Sequence, residues 1–190
     1  VGALLAGFSL VPLAGLQSTT RAVGAVTLGT ALLVCLWVRP SRRAWLLVGS
    51  AGGAAAAALL LVGWTPELLA SGAYRYVPTG GATDVRAALQ AGEVLYLREG
   101  AAATVAVRRL AGTTSLVIDG KPDASDAGDM LTQKLLAHLP LLLHDRPRRV
   151  CVVGLGSGVT LGAALRHPVE RVDVVEIAPE VVAASAYFAA

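Results

Sequence analysis

The chain has 190 residues, 55% of them hydrophobic and 15% charged, with a formal net charge of +3. Ordinary soluble domains carry about a quarter charged residues, so this is not the composition of one average water-exposed globule. The charge is also unevenly divided. Residues 1–70 hold only Arg21, Arg39, Arg42, Arg43 and Glu67, whereas residues 71–190 hold 12 basic and 12 acidic groups. The second part has no general electrostatic attraction for nucleic acid, and no such partner is expected. Cys35 and Cys151 make no disulfide framework. His138, His144 and His167 are scattered and read as helix-surface or helix-end residues, so no metal is expected.

Three uncharged apolar runs open the chain, at about 1–17, 22–38 and 44–64. A helix rises about 1.5 Å per residue and a bilayer core is about 30 Å thick, so the first two runs are just long enough to cross. The third is comfortably long. Trp37, Trp45 and Trp64 stand at run ends, where amphipathic rings favour the interface. Glycines such as Gly24, Gly52 and Gly53 allow close helix contact in lipid. Pro12 is expected to kink the first span.

A buried all-helical soluble core is the competing explanation, and three successive runs favour membrane spans over it. One signal peptide does not explain three runs. No ionisable side chain falls within a run, so no ion or proton relay is legible. The positive-inside rule puts the loop of Arg39, Arg42 and Arg43 in the cytoplasm. One further span then carries the rest of the chain to the other face, away from cytosolic cofactors, so its side stays open. Val1 begins inside an apolar run and Ala190 ends inside a helical stretch, which reads as a piece of a longer protein.

Residues 71–93 form a connector. Just before it, Thr65 and Pro66 suit an N-cap and first helical position. Tyr74 and Tyr76 are expected near the membrane surface or in ordinary packing, followed by a turn at 78–81 and helical turns over 84–90. The period then changes to two. Val94–Leu97, Thr104–Arg108 and Ser115–Asp119 read as strands of a small antiparallel unit spanning 94–125. Ala111–Thr114 and Asp119–Asp123 read as the turns. Asp119, Asp123, Asp126 and Asp129 form either a solvated loop with a helix N-cap or an acidic rim for a cationic substrate. A helix starting at Asp126 or Asp129 runs to His144.

The most informative stretch is 149–176, inside the last segment, 126–190. An apolar run Val150–Val153 leads into Gly154-Leu155-Gly156-Ser157-Gly158, a helical segment Val159–Arg166, and a second run Val172–Val175 ending in Glu176. Strand, tight turn, helix and strand make a right-handed crossover between parallel strands. Glycines let the backbone approach a ligand closely. Glu176 lies 22 residues after Gly154, and an acid about 20 residues on, at the end of the second strand, is placed to accept hydrogen bonds from ribose hydroxyls. Val159 stands where a dinucleotide fingerprint needs a third glycine. The pattern suits a nucleoside without a pyrophosphate, such as S-adenosylmethionine; a plain strand-to-helix turn of small residues is the alternative.

Several motifs in order then carry a resemblance: Leu95-Tyr96 with Arg98-Glu99-Gly100, Val117-Ile118-Asp119-Gly120-Lys121, Leu136-Ala137-His138-Leu139-Pro140, Val153 to Gly158, and Val174-Val175-Glu176-Ile177. They resemble spermidine synthases. The whole chain is similar to bacterial membrane proteins that fuse a transporter-like helical region to a spermidine synthase-like (polyamine aminopropyltransferase) domain.

The resemblance implies an α/β fold, with an incomplete Rossmann-like, class I methyltransferase-type domain behind the small β unit and three N-terminal transmembrane helices. It implies aminopropyl transfer from decarboxylated S-adenosylmethionine to an amine such as putrescine, in a multi-pass protein of the bacterial inner membrane. Gly154, Gly156 and Gly158 match the family's nucleoside loop and Glu176 its ribose-binding acid; Leu155 and Ser157 complete the cofactor-binding set. Gln133 and Asp129 are placed at the substrate.

Three positions depart from the family pattern. Ser157 replaces an aspartate that holds the aminopropyl ammonium, Gln133 replaces a histidine, and Ala103 replaces a glutamine. The family's proton-accepting aspartate falls beyond Ala190, so this piece alone is expected to be inactive. Use of intact S-adenosylmethionine by a methyltransferase, or a non-catalytic nucleoside or polyamine sensor on a transporter, are the alternatives. The oligomeric state, a homo-oligomer included, stays open.

Overall fold

The computed structural model describes residues 2–38, 41–61, 63–71 and 91–188. They fall into two compact units, Val1–Trp64 and Thr65–Ala190. Residues 39–40 of the basic loop, Tyr74, Tyr76, the turn expected at 78–81 and the helix expected at 84–90 lie outside the described residues.

In the first unit, the run 1–17 does not form one uninterrupted α-helix. Helical turns α1 (Gly2–Leu5) and α2 (Val11–Ala14) flank a π-helical stretch, Ala6–Leu10, in which the Val11 N–H reaches back to the Ala6 carbonyl. Pro12 has no N–H and its ring crowds the carbonyl four residues back; the wider turn before it accommodates that defect. Gly15 then ends the helix at φ 81°, ψ 160°. The second helix, α3 (Leu16–Val38), starts well before residue 22, and α4 spans Arg42–Leu61.

The gap between the first two runs, residues 18–21, had suggested a break there. The helix absorbs them instead, with the Thr20 hydroxyl donating to the Leu16 carbonyl at 2.8 Å. Arg21 therefore lies inside α3, which corrects the expectation of helices free of ionisable groups. It donates to the carbonyls of Leu59 (2.9 Å) and Leu60 (3.3 Å), satisfying acceptors that the last turn of α4 leaves open. Gly24 lies directly against the Leu59 side chain, and Gly52 faces Leu28. These pairs make α3 and α4 an antiparallel hairpin. Among the described residues, two helices, α3 and α4, are long and apolar enough to cross a membrane, rather than three.

The second unit begins with a short helix, α5 (Pro66–Leu69), directly after Thr65. Four strands follow as an antiparallel meander: β1 (Glu93–Glu99), β2 (Thr104–Leu110), β3 (Thr113–Ile118) and β4 (Lys121–Ser125). Both later hairpins close through two-residue turns. Ala111 (φ 50°) and Gly112 (φ 82°) join β2 to β3; Asp119 (φ 49°) and Gly120 (φ 78°) join β3 to β4. Such turns need positive φ at both positions and match strand twist.

Thr113 and Thr114 thus belong to β3 rather than to a turn, and residues 121–123 begin a fourth strand that the sequence reading took for a loop. Pro122 disguised it; an edge strand tolerates proline because its N–H can face outward. Half-buried Arg108 donates to the carbonyls of Ala91 and Ala70, tying α5 to the meander. Burial pulls its pKa down, with Glu67 opposing.

The chain continues as α6 (Met130–Leu143), β5 (Arg149–Val153), α7 (Val159–Ala164), β6 (Arg171–Val175), α8 (Pro179–Ser185) and a 3-10 turn, Ala186–Phe188. β5 and β6 pair in parallel, with Val153 beside Val175, and α7 is the crossover between them. One core joins Ala137 and Leu141 of α6 to Ala163 and Ala164 of α7. Another joins Val105, Val107 and Leu116 of the meander to Ala178, Val181 and Ala184 around α8. The meander thereby shares a core with α8 rather than standing apart from the β5-α7-β6 unit.

Candidate functional site

The site grows from the end of β5. The Gly154 N–H bonds the Val175 carbonyl at 2.8 Å, so the loop leaves the sheet held to β6. Gly154, Gly156 and Gly158 have φ of 86°, 57° and 84°, conformations that side chains resist. A Cβ added at any of the three would meet nothing within 4 Å. The glycines are required by backbone shape, and the space above them is open to a ligand.

Glu176 lies against this loop. Its Oε2 accepts the Leu155 N–H at 2.8 Å and its Oε1 accepts the Ala178 N–H at 3.0 Å. A carboxylate oxygen has about two acceptor positions. One on each oxygen is therefore left, an arrangement complementary to the two hydroxyls of a vicinal diol.

Ser157 is 6% exposed, and its hydroxyl donates to Gln133 Oε1. Gln133 Nε2 donates to the Ser125 carbonyl (2.8 Å) and to Asp129 Oδ2 (2.9 Å). Asp129 also accepts the Ser125 N–H at 3.0 Å and the Ser125 hydroxyl. The Thr160 hydroxyl donates to the Gln133 carbonyl at 2.9 Å. All these links fasten the glycine loop, through the first turns of α6, to the end of β4. Gln133 meets the loop at Ser157 and Asp129 meets Gln133, so the polar atoms of both are engaged within the protein.

The other acids do not gather. Asp119 Oδ1 accepts the Thr104 N–H (2.8 Å), Asp126 Oδ1 accepts the Thr114 N–H (2.9 Å), and Asp123 pairs with Lys121 at 2.5 Å. Among the described residues no group of three or more potential ligands assembles for a metal.

Sequence reasoning missed Ser125, Thr160 and the Ala178 N–H. It also left His138 and His167 apart. The structure puts His138 Nδ1 2.8 Å from His167 Nε2, their rings tilted by 53°. The pairing becomes visible only once α6 and α7 are known to run side by side. Ser125 had a local signal: it stands four residues before Asp129, at the entry to α6.

A parallel β-α-β unit, a bare loop between strand and helix, and an acid closing the second strand define an α/β domain of Rossmann-like type. Comparison with known proteins gives this class a more particular relationship. Residues 129–189 match the model of the spermine/spermidine synthase domain. The chain is 40% identical over 73 residues to a polyamine aminopropyltransferase of Archaeoglobus fulgidus, covering 38% of this chain and 27% of that protein. It is 40% identical over 74 residues to a spermidine synthase of Dictyostelium discoideum, covering 38% and 26%. A solved spermidine synthase from Thermotoga maritima superposes with a TM-score of 0.47 at 25% identity, over 50% of this chain and 34% of that one. The chain thus spans about a quarter of the length of the curated relatives it matches.

Proposed function

We propose that residues 154–158 and Glu176 bind the adenosine part of decarboxylated S-adenosylmethionine. The complete protein is then a membrane-anchored aminopropyltransferase of polyamine synthesis, acting on an amine such as putrescine. In that reaction the amine nitrogen attacks the carbon next to the sulfonium and forms a C–N bond. The C–S bond breaks, its electrons stay on sulfur, methylthioadenosine leaves, and a base takes the ammonium proton. This chain supplies the nucleoside half of the pocket. Residues 1–190 alone are expected to bind the nucleoside without turnover, and aminopropyl transfer by this piece would contradict that.

The observation that carries the reading is the Glu176 carboxylate, which accepts the Leu155 N–H of the loop on one oxygen and the Ala178 N–H on the other, with one acceptor position left on each. Relatives named polyamine aminopropyltransferase and spermidine synthase support the same reading. Isothermal titration with methylthioadenosine and with decarboxylated S-adenosylmethionine tests it; absence of binding to both would sink it.

Ser157 favours a second reading. The loop carries a neutral hydroxyl that is spent on Gln133, so no carboxylate in the loop awaits an ammonium. Intact S-adenosylmethionine, the methyltransferase donor, then fits as well. Its affinity relative to the decarboxylated form separates the two.

We further propose that α3 and α4 anchor the protein in a bacterial cell membrane, with the side of the second unit open. Their length, apolar composition and small-residue contacts support this. Release from membranes by alkaline carbonate, without detergent, would refute it.

A further inference from the structure

An open groove of about 550 Å³ runs along α6 and α7. Among the described residues, its walls include none of Gly154–Gly158, Gln133 or Glu176, so it is separate from the nucleoside loop. The two helices run parallel. Gln133 meets Thr160, Ala137 and Leu141 share a core with Ala163 and Ala164, and His138 meets His167.

From α6 the groove takes Met130, Lys134 and His138, spaced by four so that they share one face. Val159, Gly162 and Arg166 face them from α7 and the turn after it. Polarity is graded along the groove. Met130 and Val159, with Phe188, make it apolar at the start of both helices. Lys134 and His138, one and two turns on from Met130, and Arg166 past the end of α7 make it basic, and among the described residues no acidic side chain lines it.

Two further features point to a ligand. Gly162 sits inside a helix, where glycine costs stability relative to alanine and calls for a reason. Packing gives none, because a Cβ there would meet nothing within 4 Å. Bare backbone keeps the floor of the groove open. His138, meanwhile, spends Nδ1 on His167, which fixes its ring and leaves Nε2 for a ligand.

We propose that this groove binds a small amphiphilic anion: a phosphate-type head held by Lys134, His138 and Arg166, with an apolar body lying over Gly162 toward Met130 and Phe188. The volume of the groove falls within the usual range for small-ligand pockets, about 300–1,000 Å³. Such a head belongs equally to a free organic phosphate and to an anionic lipid.

The test uses residues 1–190 in phosphatidylcholine nanodiscs, with phenyl phosphate as the probe and resonances of the Gly162 amide and the His138 ring as the readout. Phenyl phosphate should give saturable shifts at both, with affinity about tenfold above inorganic phosphate or benzyl alcohol, since each supplies only half of the ligand. The pair Lys134→Glu and Arg166→Glu, both exposed positions, should abolish the shifts. Gly162→Leu should weaken binding about tenfold by filling the floor. Nanodiscs containing phosphatidylglycerol distinguish the source: shifts at the same residues without the probe assign the lipid headgroup, and their absence assigns a free anion. No saturable shift with either probe or anionic lipid overturns the proposal, as does phenyl phosphate binding that survives both charge reversals.

Discussion

Glu176→Gln is the sharpest test of the nucleoside pocket, because one side chain is assigned two separable duties. In the native protein the carboxylate accepts two N–H groups, from Leu155 at 2.8 Å and Ala178 at 3.0 Å. A glutamine amide keeps one acceptor oxygen and replaces the other by a donor. Whichever way it turns, one of those two N–H groups faces another N–H. Hydrogen bonds to a charged group contribute about 1.5–3 kcal/mol each and neutral ones about 1 kcal/mol, so losing one and neutralising the other should cost about 3 kcal/mol of stability.

Binding should suffer in parallel. Of the two acceptor positions left for ribose hydroxyls, one becomes a donor and the other loses its charge. Methylthioadenosine should then bind about tenfold to a hundredfold more weakly. Titration calorimetry gives the affinity, and urea unfolding of the same samples gives the stability. If stability falls as computed while affinity stays within about threefold, the carboxylate is only a loop anchor and the ribose assignment is wrong. If neither changes, the geometry at residue 176 has been misread altogether.

Other substitutions probe neighbouring features. Gly156→Ala places a methyl where φ is 57° and no neighbour lies within 4 Å. The fold should lose only about 1 kcal/mol, whereas methylthioadenosine affinity should drop further because the methyl occupies ligand space; equal losses would argue against a ligand there. Ser157→Asp restores a carboxylate to the loop and should raise the ratio of affinities, decarboxylated S-adenosylmethionine over methylthioadenosine, by about tenfold. An unchanged ratio removes that position from amine recognition. Ala111→Gly relieves an alanine held at φ 50° in a two-residue turn. It should raise stability by about 0.5–1 kcal/mol, seen as a higher urea midpoint at unchanged slope. Arg21→Met removes two bonds to the carbonyls of Leu59 and Leu60 and should lower the thermal midpoint of the protein in detergent; an unchanged midpoint would show that the α3–α4 hairpin does not depend on them.

The loop, its flanking strands and Glu176 were legible in the sequence because each signal is local: an apolar run, three glycines in five residues, an acid where the second run stops. β4 was not legible, since Pro122 and its charged neighbours look like a turn unless the strand is known to be an edge. The start of α3 was misplaced because polarity was taken for a boundary, while Thr20 sits in the helix with its hydroxyl bonded back to the Leu16 carbonyl. The Ser157–Gln133 bond taught something different. Read singly, each residue is a departure from the pattern of a known family. Together they are a matched pair, a hydroxyl donor against an amide acceptor, and only three-dimensional adjacency reveals it. The His138–His167 contact and the core shared by the meander and α8 lay beyond the sequence for the same reason.

That shared core reaches further than packing. The Ala178 N–H that holds Glu176 belongs to the residue just before α8, and α8 is seated by Val181 and Ala184 on Val105, Val107 and Leu116. The proposed grip on a sugar is therefore rooted in β2 and β3, strands far earlier in the chain. Occupancy of the pocket and cohesion of that sheet should rise and fall as one quantity. A bound nucleoside would slow hydrogen exchange along β2 and β3 as surely as in the loop it touches, making the sheet itself a reporter of whether the pocket is filled.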